Sequence, residues 1–145
     1  MDFKDLSKNQ LSAVCKSMDV DREDLERYLD SGDYLVLTDS EANEKVAEYI
    51  KDSLWAFNAN FILSECGLDL SGVDSLRAMQ EKACESANDF ILSLVEKTCG
   101  LASFVDSAIS MDGRGHFLSP YDGNETEVSY KAGKKTDFLY IYRQN

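Results

Sequence analysis

Apolar positions recur at helical spacing along most of the chain. Leu11, Val14, Cys15 and Met18 return every three or four residues and predict a short amphipathic helix over roughly residues 6–18. Leu25, Tyr28 and Leu29 carry the pattern into a second helix. Asp21 is placed to cap it, because a side-chain oxygen satisfies the orphan amides of a first turn, and Ser31-Gly32 is placed to end it, because glycine accepts the left-handed position beyond a last turn. Tyr34-Leu35-Val36-Leu37 is a contiguous apolar run between polar neighbours and reads as a short strand. From Asp39 or Ser40 onward, Ala42, Val46, Tyr49, Ile50, Leu54, Phe57, Phe61 and Ile62 predict one long helix stopped by Gly67. Leu76, Met79, Ala83, Ala87, Phe90, Ile91, Leu94 and Val95 predict a second, from Asp74 to Thr98, with Gly100 just past its end. The small residues Ala83, Cys84, Ser86 and Ala87 in its middle invite close approach of the preceding long helix as an antiparallel partner.

Leu101, Phe104, Val105, Ala108 and Ile109 predict a further short helix, after which the pattern changes. Asp112-Gly113-Arg114-Gly115-His116 and Ser119-Pro120-Tyr121-Asp122-Gly123 read as loops, the first with two glycines at positive φ and Arg114 paired to a carboxylate. Val128-Ser129-Tyr130, a turn at Gly133 and Phe138-Leu139-Tyr140-Ile141-Tyr142 read as a β-hairpin, to whose edge the Tyr34 strand can add. The expected fold is α+β and mainly helical: an antiparallel pair of long helices, shorter helices and a small C-terminal β-hairpin or sheet. The expected organisation is a single domain over 1–145, with an N-terminal helical pair at 1–32, a helical core at 33–110 and a loop with hairpin at 111–145.

Composition agrees with a folded chain: 145 residues, 43% hydrophobic and 29% charged, with one proline. No apolar run reaches the length of a membrane span, and Met1-Asp2-Phe3-Lys4-Asp5 has no hydrophobic signal core, so the expectation is a cytoplasmic protein without a membrane partner. Cys15, Cys66, Cys84 and Cys99 form no C-x-x-C pair and are expected as reduced core thiols rather than a zinc site.

Charge changes the picture most. The net charge of −12 repels phosphate backbones and anionic lipids, which argues against direct binding of nucleic acid and in favour of a basic protein surface as partner. The acids are concentrated: Asp19 to Glu48 holds eleven against three bases, a net of −8, while Glu125 to Asn145 carries a net of +1. The expected partner-binding residues are Asp19, Asp21, Glu23, Asp24, Glu26, Asp30, Asp33, Glu41, Glu44 and Glu48, with Trp55 as an aromatic anchor at the edge of its helix.

Candidate chemistry is sparse. His116 is the only histidine, so imidazole catalysis would have to use it, and the simpler expectation is a ring hydrogen-bonded to backbone. Asp112 and Asp122 flank it and, with Glu125, could bind a divalent cation through oxygen and one nitrogen, a weak signal, and Gly113-Arg114-Gly115 lacks the length, the helix-start context and the Lys-Ser or Lys-Thr of a phosphate loop. With neither a nucleophile motif nor a cofactor fingerprint, the expectation is a protein without catalysis, metal or cofactor.

The segment Asp112-Gly113-Arg114-Gly115-His116-Phe117-Leu118-Ser119-Pro120-Tyr121-Asp122-Gly123, with Tyr140-Ile141-Tyr142-Arg143, resembles the C-terminal part of small uncharacterised acidic proteins of tailed bacteriophages. Leu35 to Ala42 and Leu54-Trp55-Ala56-Phe57-Asn58 are similar to their central part, so the resemblance spans roughly Tyr34 to Arg143. It marks Asp112, Arg114, His116, Tyr121 and Asp122 as a motif of unassigned role. The setting it implies is a host bacterial cytoplasm, where small acidic phage proteins often inhibit defence complexes of the CRISPR or restriction type, some by imitating nucleic acid. The alternatives are a phage structural or regulatory protein that self-associates as a homo-oligomer through its aromatic tail, and a small enzyme built on Asp112, Arg114 and His116.

Overall fold

Local capping explains where the first helices begin and end in the computed structural model, which describes residues 1–145. Ser7 Oγ accepts the Gln10 amide while Gln10 Oε1 accepts Ser7 N–H, opening α1 (Lys8–Met18). Asp21 accepts the Asp24 amide at 2.8 Å and opens α2 (Arg22–Ser31), which Gly32 closes at φ 76°. After β1 (Tyr34–Leu37), Thr38 and Glu41 exchange a second reciprocal cap and α3 (Asp39–Ser53) follows. The chain continues through α4 (Ala59–Glu65), α5 (Val73–Ala83), α6 (Asn88–Lys97), α7 (Leu101–Asp112) and α8 (Arg114–Leu118) to β2 (Thr126–Ala132) and β3 (Lys135–Arg143). The fold is mainly helical α+β with a three-stranded antiparallel sheet. No helix is long and apolar enough to cross a membrane.

The chain divides into two compact units, Met1–Lys45 with Gly113–Asn145, and Val46–Asp112. In the first, the sheet has the order β1-β3-β2, so the Tyr34 strand does add to the hairpin, with Leu35 opposite Tyr142 and Leu37 opposite Tyr140. Strand alternation sends Val36, Val128, Leu139 and Ile141 to one face, where Val14 of α1 and Leu25 of α2 complete a core of fully or almost fully buried side chains. The hairpin turns at Gly133-Lys134, with Gly133 at φ 68° in the position that a two-residue turn reserves for glycine.

In the second unit, both long helices expected from periodicity are interrupted. The first stops at Ser53, passes through a 3-10 turn at Leu54–Ala56 and restarts at α4 under an Asn58 cap. The second breaks at Cys84, which has φ 49°, and passes through a 3-10 turn at Cys84–Ala87 before α6. Two side-chain amides supply the physical reason for the first break. Asn88 accepts Trp55 N–H at 3.1 Å and donates to Lys51 O at 2.8 Å, while buried Gln80 donates to Trp55 O and Phe57 O. Backbone groups of Lys51, Trp55 and Phe57 at that break are thereby paired across the unit with side chains. Leu54, Ile62, Ile91, Val95 and Phe104 fill the interior, and Phe57, Phe61 and Phe104 form a mutually tilted aromatic cluster with centroids 5.1–6.2 Å apart.

The four cysteines are free thiols, but only Cys66 is a buried core thiol, and its burial pushes its pKa up; Cys84 is exposed because it lies at the helix break.

Candidate interaction site

The acids of the N-terminal third separate into those that hold the chain together and those that face solvent. Asp21 and Glu41 are consumed as helix caps. Asp24 pairs with Arg27 at 2.7 Å, one turn along α2. Asp33 accepts hydrogen bonds from Asn145 and Ser31, both at 2.7 Å, which hold its carboxyl below the usual carboxylate range. Asp39, outside the expected set, is bound to Arg114.

Asp19, Glu23, Glu26, Asp30, Glu44 and Glu48 are exposed and take part in no side-chain hydrogen bond or salt bridge. Three of them make a ridge. Glu23, Glu26 and Asp30 are spaced three and four residues apart, so they share one side of α2, opposite the face that buries Leu25. Neither arginine of the helix is ion-paired to them: Arg27 is engaged by Asp24, and Arg22 lies over the Phe3 ring, 5.3 Å from its centroid. Glu23 stands in the first turn, where the helix dipole favours an acid. Asp30 stands in the last turn, where the dipole disfavours one, and α2 has no basic residue there.

Glu48 and Trp55 belong to the second unit. Trp55 is half-buried in the 3-10 turn after α3, its backbone tied to Asn88 and Gln80.

Within the Asp112–Gly123 motif the first half is a short helix, Arg114–Leu118, rather than the expected loop, while residues 119–123 form the expected turn. Asp112 is exposed at the end of α7, Gly113 takes φ 79°, and α8 begins at Arg114. Of Gly113 and Gly115, only Gly113 takes positive φ. Gly115 is required by proximity: a Cβ there would meet Gly123 O and lie 2.7 Å from the Asn124 carbonyl carbon. Arg114 is the centre of a clamp within the first unit. Its Nε and Nη2 donate to the two Glu125 oxygens at 2.8 and 3.2 Å, and its Nη1 donates to Asp39 Oδ1 at 2.7 Å and Asn43 Oδ1 at 3.1 Å. The guanidinium carbon lies 4.3 Å from the Tyr140 ring centroid, and the hydroxyl of buried Tyr142 donates to Glu125. These partners raise the Arg114 pKa against the opposing effect of burial. With its fork filled, Arg114 is a fastening and not an open anion receptor.

His116 is exposed, its ring edge-on to Phe117 at 4.9 Å, and the expected hydrogen bond to backbone is not made. Tyr121 is exposed and carries the Arg143 guanidinium 3.7 Å above its ring. Asp122 accepts from Asn124 N–H and Ser119 Oγ, which hold its carboxyl low and tie the turn to β3 through Ser119. A cavity of about 340 Å³ opens beside it, lined by Tyr28, Tyr34 and Arg143 among others. No three His, Cys, Asp or Glu side chains converge so as to hold a metal ion.

Sequence reasoning placed a carboxylate on Arg114 but missed which ones, together with Asn43, Tyr140 and Tyr142. Asp39 lies 75 residues from Arg114, beyond the reach of any local pattern. Comparison with known proteins finds no family model, no curated protein and no solved structure that matches the chain.

Proposed function

We propose that this chain is an acidic interaction protein that docks on a basic protein surface through the solvent face of α2, with Glu23, Glu26 and Asp30 as the contact. The observation that carries this reading is Asp30: an unpaired, solvated carboxylate in the last helical turn opposes the helix dipole, adds nothing to folding and extends a ridge of like charge. Successive members of the ridge are about 5–6 Å apart at Cβ, so lysine and arginine side chains that normally hold phosphates can pair with them by charge-assisted hydrogen bonds. In its narrower form, drawn from the phage resemblance, the partner is a host defence complex in the bacterial cytoplasm and the ridge occupies a groove that otherwise receives nucleic acid.

Capture from host lysate, at low and at high salt, with wild type and with the E23Q/E26Q/D30N variant, tests this. The expected result is a nucleic-acid-handling protein retained by wild type at low salt, released at high salt and missed by the variant. Equal capture by the variant rules out the ridge. Salt-insensitive capture of an unrelated protein rules out the nucleic-acid groove.

A further inference from the structure

The sheet of the first unit has an open edge at β2. The hairpin register pairs Ala132 with Lys135 across a two-residue turn, so Thr126, Val128, Tyr130 and Ala132 direct their backbone groups to β3. Glu127, Ser129 and Lys131 direct theirs outward. Lys131 O accepts from Asn9 Nδ2 at 2.8 Å, which agrees with that direction; the N–H groups of all three residues and the carbonyls of Glu127 and Ser129 have no partner in the chain. At the other edge of the sheet, β1 is only four residues long and its Val36 carbonyl is covered by Met1 N. A seven-residue edge strand whose only engaged outward group is Lys131 O is a template for another strand.

We propose that β2 pairs with β2 of a second copy of this chain, antiparallel, about a two-fold axis through Ser129. The sequence of the edge chooses both occupant and register. In Glu127-Val128-Ser129-Tyr130-Lys131, opposite charges stand symmetrically about a small residue. Reversing the strand places Glu127 opposite Lys131 of the second copy, Lys131 opposite its Glu127, and Ser129 opposite Ser129. All three facing pairs are of the kind whose backbone groups point outward, so each exchanges two hydrogen bonds. Lys131 O has a second lone pair for its bond while Asn9 keeps the first. Two-fold axes through Val128 or Tyr130 keep the outward groups facing but set Ser129 against Glu127 or against Lys131, so they forgo the reciprocal Glu127–Lys131 pairs; axes through Glu127 or Lys131 place like charges directly opposite, which are repelled. Charges that guard an edge against self-pairing repel their own copies; this pattern attracts them.

Sedimentation velocity of the full chain, from micromolar to millimolar concentration, tests the proposal with four variants whose folding is checked by circular dichroism. Wild type is expected to show a concentration-dependent dimer. E127K and K131E each place like charges opposite and should raise the dimer dissociation constant roughly tenfold or more, while E127K/K131E should restore it. S129P removes a central outward N–H without removing a bond to β3, a substitution tolerated at a sheet edge, and should abolish the dimer. A wild type that stays monomeric overturns the proposal. So does a folded double variant that stays monomeric, or a dimer that survives S129P. The α2 variant E23Q/E26Q/D30N should dimerise like wild type, so this proposal and the acidic docking face stand or fall separately.

Discussion

The Arg114 clamp and the α2 ridge are both concentrations of charge in the same unit, and they behave in opposite ways. At the clamp, Asp39 and Glu125 surround a guanidinium whose side chain is 10% exposed, and two tyrosines complete its surroundings. On the ridge, Glu23, Glu26 and Asp30 have only water and one another. A carboxylate count treats the two alike. The difference lies in desolvation: at the clamp, charges withdrawn from water must be matched or the fold weakens, whereas solvated charges on the ridge are almost neutral to folding and remain available to a partner.

Replacing Arg114 breaks the comparison at its strong end. Arg114→Met should cost about 2 to 3 kcal/mol in urea unfolding, because it leaves Glu125 partly buried and unpaired while Asp39, 67% exposed, recovers water. Gly115→Ala should follow at about 2 kcal/mol, since the new methyl meets the backbone of Gly123 and Asn124 rather than a side chain that can turn away. Either variant unfolding at the wild-type midpoint would show that the clamp is ornamental to the fold.

Tyr142→Phe sharpens the same end, with an expected loss of about 1 kcal/mol for the hydrogen bond to Glu125. Burial, then Glu125, pushes the Tyr142 phenol above the ordinary tyrosine range. A pKa raised in the folded state contributes stability that is complete below the unfolded value near 10 and is lost as pH rises towards the folded one. Alkaline titration followed by tyrosinate absorbance should therefore show one of the seven tyrosines ionising only as the far-ultraviolet dichroism collapses.

Acid gives the smaller, opposite dependence. Asp33 is held low by Asn145 and Ser31, and Asp122 by the Asn124 amide and Ser119. Their contribution is complete above the unfolded value near 4 and is lost as pH falls through the folded one. The urea midpoint of Asp122→Asn should accordingly fall less steeply than that of wild type below about pH 4.

The ridge should give the smallest effect on stability. E23Q/E26Q/D30N is expected within about 0.5 kcal/mol of wild type in urea, as befits solvated side chains. A loss of 2 kcal/mol or so would place the ridge with the clamp as a folding element and remove its claim to a partner.

The sequence by itself determined whatever is decided within a few residues. The Asp21 cap, the Gly32 stop, the Tyr34 strand and the Gly133 hairpin were legible because capping, left-handed closure and two-residue alternation act locally. The addition of β1 to β3 was legible as well, because a lone apolar strand has few places to pair. Tertiary structure alone decided where the first long apolar stripe breaks. Asn88 and Gln80 reach backbone groups 23 to 37 residues away, and periodicity contains no signal for a side-chain amide that replaces a helical hydrogen bond. It also decided which acids are free: spacing on α2 put Glu23, Glu26 and Asp30 on one side, but whether a distant arginine would reach back to a given carboxylate, as Arg114 does to Asp39, is fixed only when the chain closes on itself.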